Sequence, residues 1–152
     1  MSESKTNLKT VWYGNTKGNG RMESNNFETS IAIPESLGGI GEGAEPKGLI
    51  VSSAAACYSM TLVAMLEARK LNVTGLTMNT EATNSKEEGF KITHYPKVIL
   101  SVDATKDQIE SANRTIQAAD KACAIGNMLK KADVQIMIEG KVSLASQVDE
   151  SN

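Results

Sequence analysis

The stretch Pro46-Lys47-Gly48-Leu49-Ile50-Val51-Ser52-Ser53-Ala54-Ala55-Ala56-Cys57-Tyr58-Ser59-Met60-Thr61-Leu62-Val63-Ala64-Met65-Leu66 decides how this chain is to be read. No charged residue interrupts it between Lys47 and Glu67. Proline suits the first turn of a helix, where its missing N–H would have no partner anyway. Glu42 and Glu45 just upstream complement the positive end of a helix dipole, and Glu67, Arg69 and Lys70 close the run. A helix apolar nearly all round is either a membrane span or a buried core helix. Ser52, Ser53, Ser59 and Thr61 within the run, and flanks without positive-inside asymmetry, favour a central buried helix.

Working outward, the chain of 152 residues suits a single domain, 1–152, with a polar tail from about residue 145. Aromatic content is only 4%, so the core must be built from Leu, Ile, Val, Ala and Met. A net charge of −2 leaves no electrostatic footprint for nucleic acid or an anionic membrane surface, so neither is expected as a partner. From the polar start, Met1 to Asn7, no secretory signal is expected. A cytoplasmic location is therefore expected, where a permanent structural disulfide is disfavoured.

Lys9–Tyr13, Arg21–Ser24 and Phe27–Ile33 read as a meander of short antiparallel strands separated by Asn- and Gly-rich turns. The Gly-rich approach Pro34–Glu45 lacks Walker or dinucleotide spacing, and its glutamates would face any bound phosphate. After the central helix, Val73–Ala82 alternates, with Leu76, Met78, Thr80 and Ala82 on one face. Phe90–Val102 reads as a further strand, with Val98, Leu100 and Val102 on one face and Pro96 suggesting an edge position or a bulge. Thr105-Lys106-Asp107-Gln108 has the form of a capping box. Beyond it Ile109, Ala112, Ile116, Ala119 and Cys123 make one apolar helical stripe that Gly126 breaks. Asn127–Ala132 suggests another helical turn, and Val134–Val142 a last strand. The fold class is α+β.

Cys57 and Cys123 lie on the two best helices, each in an apolar setting. One reading makes them small buried hydrophobes, and spacing alone favours it, since no CxxC or zinc pattern is present. The other is a thiol peroxidase, in which a thiolate attacks a peroxide oxygen and the resulting sulfenic acid condenses with the second thiol. That chemistry benefits from a lowered thiol pKa, usually supplied by a nearby cation. The dipole of Cys57's own helix is a poor source, because its effect fades within the first turn. Of the arginines, Arg69 and Arg114 read as solvated, which leaves Arg21 as the candidate cation beside its plain reading as a strand-end charge. His94, the only histidine, has no metal-ligand spacing around it and reads as a surface strand residue. Neither a metal nor a cofactor is expected.

Pro46…Ser53-Ala54-Ala55-Ala56-Cys57 resembles the OsmC/Ohr family of organic hydroperoxide reductases. Cys57-Tyr58-Ser59-Met60 is closer to the OsmC branch, whereas Pro34-Glu35-Ser36-Leu37-Gly38-Gly39 is more like Ohr. Trp12, Gly14 and Gly18-Asn19-Gly20 also match, as does Cys123 closing the late helix. The resemblance implies antiparallel sheets wrapped around long central helices in an intertwined homodimer, with a site at the subunit interface. It implies a peroxidatic Cys57 and a resolving Cys123, an organic hydroperoxide as substrate, and a dithiol reductant, often lipoyl-type. The alternative is a non-catalytic dimer that binds a small apolar molecule at that interface. Two positions depart from the family pattern. Lys47 stands where a carboxylate usually follows the helix-starting proline. The usual arginine positions fall at Gly18, by the Ohr count, or at Ser30, by the OsmC count. Lys47, Lys17 or Arg21 is then left to supply the charge.

Overall fold

A computed structural model describes residues 4–145, which fall into two compact units divided between Ile50 and Val51. The polar tail expected beyond Ala145 lies outside the described residues.

The first unit is a three-stranded antiparallel sheet in the order β1 (Lys9–Tyr13), β2 (Asn19–Ser24), β3 (Phe27–Ile31). The meander forms where the alternation and turn residues predict it. After β3 the Gly-rich segment makes a short 3-10 turn at Glu35–Leu37 and then returns along the strand. Ala44 donates to the Ser30 carbonyl and its own carbonyl accepts from Ala32 N–H, so this segment is pinned to β3. Gly38 and Gly41 take positive φ there, which a side chain would oppose. Helix α1 (Pro46–Ala68) begins next. The Glu45 carboxylate accepts the N–H groups of Lys47 (3.1 Å) and Gly48 (2.6 Å), satisfying two donors that the helix itself cannot.

The second unit carries the rest of α1, β4 (Val73–Ser85), β5 (Gly89–Leu100), α2 (Lys106–Ala122), α3 (Ala124–Lys131), β6 (Gln135–Ile138) and β7 (Lys141–Leu144). β4 and β5 form a long antiparallel hairpin, and β6 and β7 both run parallel to β5 on its other side. Within this unit Tyr58, Leu62 and Leu66 of α1 pack with Val98 and Leu100 of β5 and with Ala112, Ile116 and Ala119 of α2. Burying each large apolar side chain contributes about 1.5–3 kcal/mol. The capping box is present: Thr105 N–H donates to Gln108 Oε1 (2.8 Å), and Gln108 N–H to Thr105 Oγ1 (3.2 Å).

Four expectations need correction. The last strand is two, β6 and β7, with a step at Glu139-Gly140. Pro96 is fully buried in a strand paired on both sides, not at an edge. β6 pairs with Lys91–His94 and β7 with Lys97–Leu100, so Pro96 falls opposite the step. Its missing N–H therefore costs no ladder bond on that side. The helix break is at Cys123 and not at Gly126, which is buried inside α3; a Cβ there would stand 3.2 Å from Cys123 Sγ. Finally, α1 is not buried all round. By length and composition it is long and apolar enough to cross a membrane. The chain covers a stripe of Ala54, Tyr58, Leu62 and Leu66 and leaves Ala56, Met60, Val63 and Ala64 exposed.

Candidate active site

Cys57 and Cys123 are brought together in the second unit, where each thiol acts directly on the other. Both are free cysteines. α1 presents Cys57 one residue from the core-facing Tyr58, so the sulfur lies half-buried at the margin of the core. Cys123 is 2% exposed and occupies the corner between two helices, ending α2 and capping α3. Its extended backbone, φ −75 and ψ 109, turns the chain so that α3 starts beside Cys57.

The consequence is electrostatic. Burial pushes the Cys57 thiol up, but four contacts outweigh it: the N–H of Ile125, the Cys123 side chain, the N–H of Ala124 and the Thr61 side chain. The net direction is downward, toward thiolate. The Thr61 hydroxyl also lies 2.8 Å from the Cys57 carbonyl, which it bonds as donor. Ala124 and Ile125 open α3, where N–H groups lack intrahelical acceptors and the dipole is positive. A helix end thus lowers this thiol, but it is the end of α3 and not of Cys57's own helix. Nothing in the α1 periodicity could have signalled this. Cys123 moves the other way: burial raises its thiol, the N–H of Gly126 (3.4 Å) opposes, and Cys57 and the Asp120 carboxylate raise it further.

A polar array lies beneath the pair. The Tyr58 hydroxyl donates to the Ile116 carbonyl (2.7 Å), and its ring stacks on His94 with centroids 5.2 Å apart. His94 is buried, correcting the expectation of a surface histidine, and its Nδ1 lies 2.9 Å from Thr80 Oγ1. Burial lowers its pKa against an opposing pull from Asp120. Arg69 is not simply solvated either: its Nη1 donates to Thr115 Oγ1 (2.5 Å).

Arg21 belongs to the first unit, on β2, cross-strand from Ser30. Its guanidinium pairs with Glu28 and donates to Ser30 Oγ (3.4 Å), and both ends of the ion pair are about half exposed. The same unit holds an apolar cavity of about 280 Å³ lined by residues that include Trp12, Met22, Ile33, Pro34, Leu37 and Leu49. Among the described residues no cluster of His, Cys, Asp and Glu has the makings of a metal site.

An α+β fold in which a cysteine of one helix faces a cysteine at the corner of two others, one lowered and one raised, defines a class of small dithiol proteins. The OsmC-like protein family matches residues 39–139, and the chain belongs to that family. It is similar to the uncharacterized protein YmaD of Bacillus subtilis (strain 168), at 35% identity over 92% of this chain and 95% of that one. Among solved structures it shares its fold with an OsmC-like protein from Mycoplasma pneumoniae, with a TM-score of 0.70 and 19% identity over 93% of this chain and 99% of that one. It also shares it with the organic hydroperoxide resistance protein OhrB of Bacillus subtilis, with a TM-score of 0.55 and 19% identity over 88% and 97%.

Proposed function

We propose that the protein is a thiol-dependent peroxidase that reduces organic hydroperoxides through Cys57, with Cys123 as the resolving thiol. The observation that carries this reading is the asymmetry of the two sulfurs. Cys57 is half-buried and lowered toward thiolate, whereas Cys123 is buried and raised toward thiol. Only the thiolate is a good nucleophile. Cys57 sulfur attacks the distal peroxide oxygen, the O–O bond breaks, and the alkoxide leaves and takes a proton to become the alcohol. The Cys57 sulfenic acid is then attacked by Cys123, which loses its proton; a disulfide forms and water departs. An external dithiol, of lipoyl type by family analogy, returns both thiols to the reduced state.

Arg21 enters the proposal as the cation of the peroxide step. Its support is the family resemblance together with its own pairing. It is held by a carboxylate, Glu28, and its guanidinium reaches Ser30, one of the positions where the family's arginine falls. The uncovered α1 face of Met60 and Val63, 71% and 52% exposed, supports a homodimer in which a second copy covers this stripe. Free thiols suit a reducing, cytoplasmic setting. A second reading, a non-catalytic binder of a small apolar molecule, is favoured by the apolar cavity of the first unit.

Intact mass under non-reducing conditions, after slight excess of cumene hydroperoxide, separates the two. The peroxidase loses two hydrogens in the parent and shows a trapped sulfenic acid in Cys123→Ser but none in Cys57→Ser. No change in any of the three leaves the binding reading.

A further inference from the structure

The corner that carries Cys123 is clasped from both sides. Asp120 sits in the last turn of α2, where a carboxylate is disfavoured by the negative end of the dipole. Lys130, on α3, reaches back to it: Nζ lies 2.8 Å from Asp120 Oδ2, with the two side chains 34% and 21% exposed. A second tie runs beside it, from Asn127 Nδ2 to the Lys121 carbonyl (2.9 Å). Only Cys123 stands between α2 and α3, so these ties span a single non-helical residue. The direction of α3, and with it the aim of its first N–H groups, depends on how that corner is held.

We propose that Asp120 and Lys130 are a positioning pair for the reactive thiol: their ion pair clasps α3 to the end of α2 and holds the N–H groups of Ala124 and Ile125 on Cys57 sulfur. The inference rests on Cys57 being the reactive thiol, but not on its oxidant. The groups facing Cys57 are those two amides, the Cys123 thiol and the Thr61 hydroxyl. Those acting on Cys123 are the Gly126 amide, Cys57 and the Asp120 carboxylate. Lys130 acts on neither thiol directly, so its removal reaches Cys57 through the direction of α3. Asp120 has a double effect: it braces the helix that lowers Cys57, and its charge raises Cys123. The pair widens the gap between the two thiols and keeps the roles of attacker and resolver apart.

The test is the pH dependence of iodoacetamide alkylation, resolved by peptide mass for Cys57 and Cys123 separately, in the full chain. It involves no peroxide, so loss of peroxidase activity and loss of positioning are read independently. Lys130→Met should slow Cys57 at neutral pH by about threefold or more, as the thiol returns toward its ordinary, protonated range. Lys130→Arg should restore it. Lys131→Met, which removes an equal charge from the same turn but leaves the clasp, should match the parent. Asp120→Asn should move the thiols oppositely, slowing Cys57 and speeding Cys123. The proposal is overturned if Cys57 keeps the parental profile in both Lys130→Met and Asp120→Asn. It is overturned equally if Lys131→Met shifts Cys57 as much as Lys130→Met, since distant charge would then suffice.

Discussion

The thiol of Cys57, three turns into α1, lies against the backbone N–H of Ile125 in the first turn of α3. One helix provides the sulfur and another provides the positive end that lowers it. Donors fixed in the backbone need no reorganisation when the thiolate forms, unlike a flexible cation that must be drawn in.

Ala124→Pro isolates this contribution. Position 124 is the first residue of α3, where proline is well tolerated, and Cys123 before it already has the extended backbone that proline demands. The substitution deletes one donor to Cys57. Alkylation of Cys57 at pH 7 should slow by roughly threefold to tenfold, with its midpoint displaced upward. An unmoved midpoint would mean that the α3 amides do not set the thiol.

Arg21→Gln separates thiol activation from the peroxide step. The half-exposed ion pair with Glu28 is worth no more than about 1 kcal/mol, so thermal stability should scarcely change. Stopped-flow consumption of cumene hydroperoxide should fall by at least about tenfold, the size expected for losing one charge-stabilising group, while Cys57 alkylation stays parental. Equal peroxide rates in variant and parent would reduce Arg21 to a structural strand charge.

His94 makes stability depend on pH. Burial holds its folded pKa below the ordinary value of 6.5. A group depressed in this way contributes stability that is fully present above its unfolded value and is lost as pH falls through the folded one. Urea midpoints should therefore decline as pH drops below about 6.5. In His94→Gln that part of the decline should vanish, even though losing the stack on Tyr58 lowers stability at every pH. A slope unchanged by the substitution would assign the acid sensitivity to carboxylates.

Two substitutions on α1 should part company. Leu62→Ala empties a fully buried site and should cost about 2–5 kcal/mol in chemical denaturation. Val63→Glu lies on the uncovered face and should leave the fold of the single chain intact while driving the proposed homodimer toward monomer in sedimentation. A dimer of parental strength in Val63→Glu would move the interface elsewhere.

Much of the framework was legible in the sequence because it is local. Pro46 and Glu45 mark the start of α1, the Thr105–Gln108 box starts α2, and the spacing from Ile109 to Cys123 names its buried stripe. Each depends on residues within a turn or two of one another, and backbone geometry fixes those relations. The two cysteines were also findable, since each stands in an apolar setting at one of the two clearest helices.

What the sequence could not determine is set by contacts between distant segments. His94 reads as a surface residue by its type, yet it lies in phase with Val98 and Leu100 on the buried face of β5, where the ring of Tyr58 of α1 stacks on it. Pro96 signals an edge, but β6 and β7 meet β5 with a step that accommodates it. The helix break falls at Cys123, whose extended backbone ends α2 and whose sulfur accepts the Gly126 N–H to cap α3, while Gly126 sits inside α3 close against that sulfur. Hence the electrostatic character of Cys57 was invisible from its own helix. Sequence alone determined that this chain carries two thiols in apolar settings, one within an apolar helix and one closing an amphipathic helix. Tertiary structure alone decided which of them is shifted toward thiolate, because a thiol's pKa depends on donors and charges within a few ångströms in space, whatever their distance along the chain.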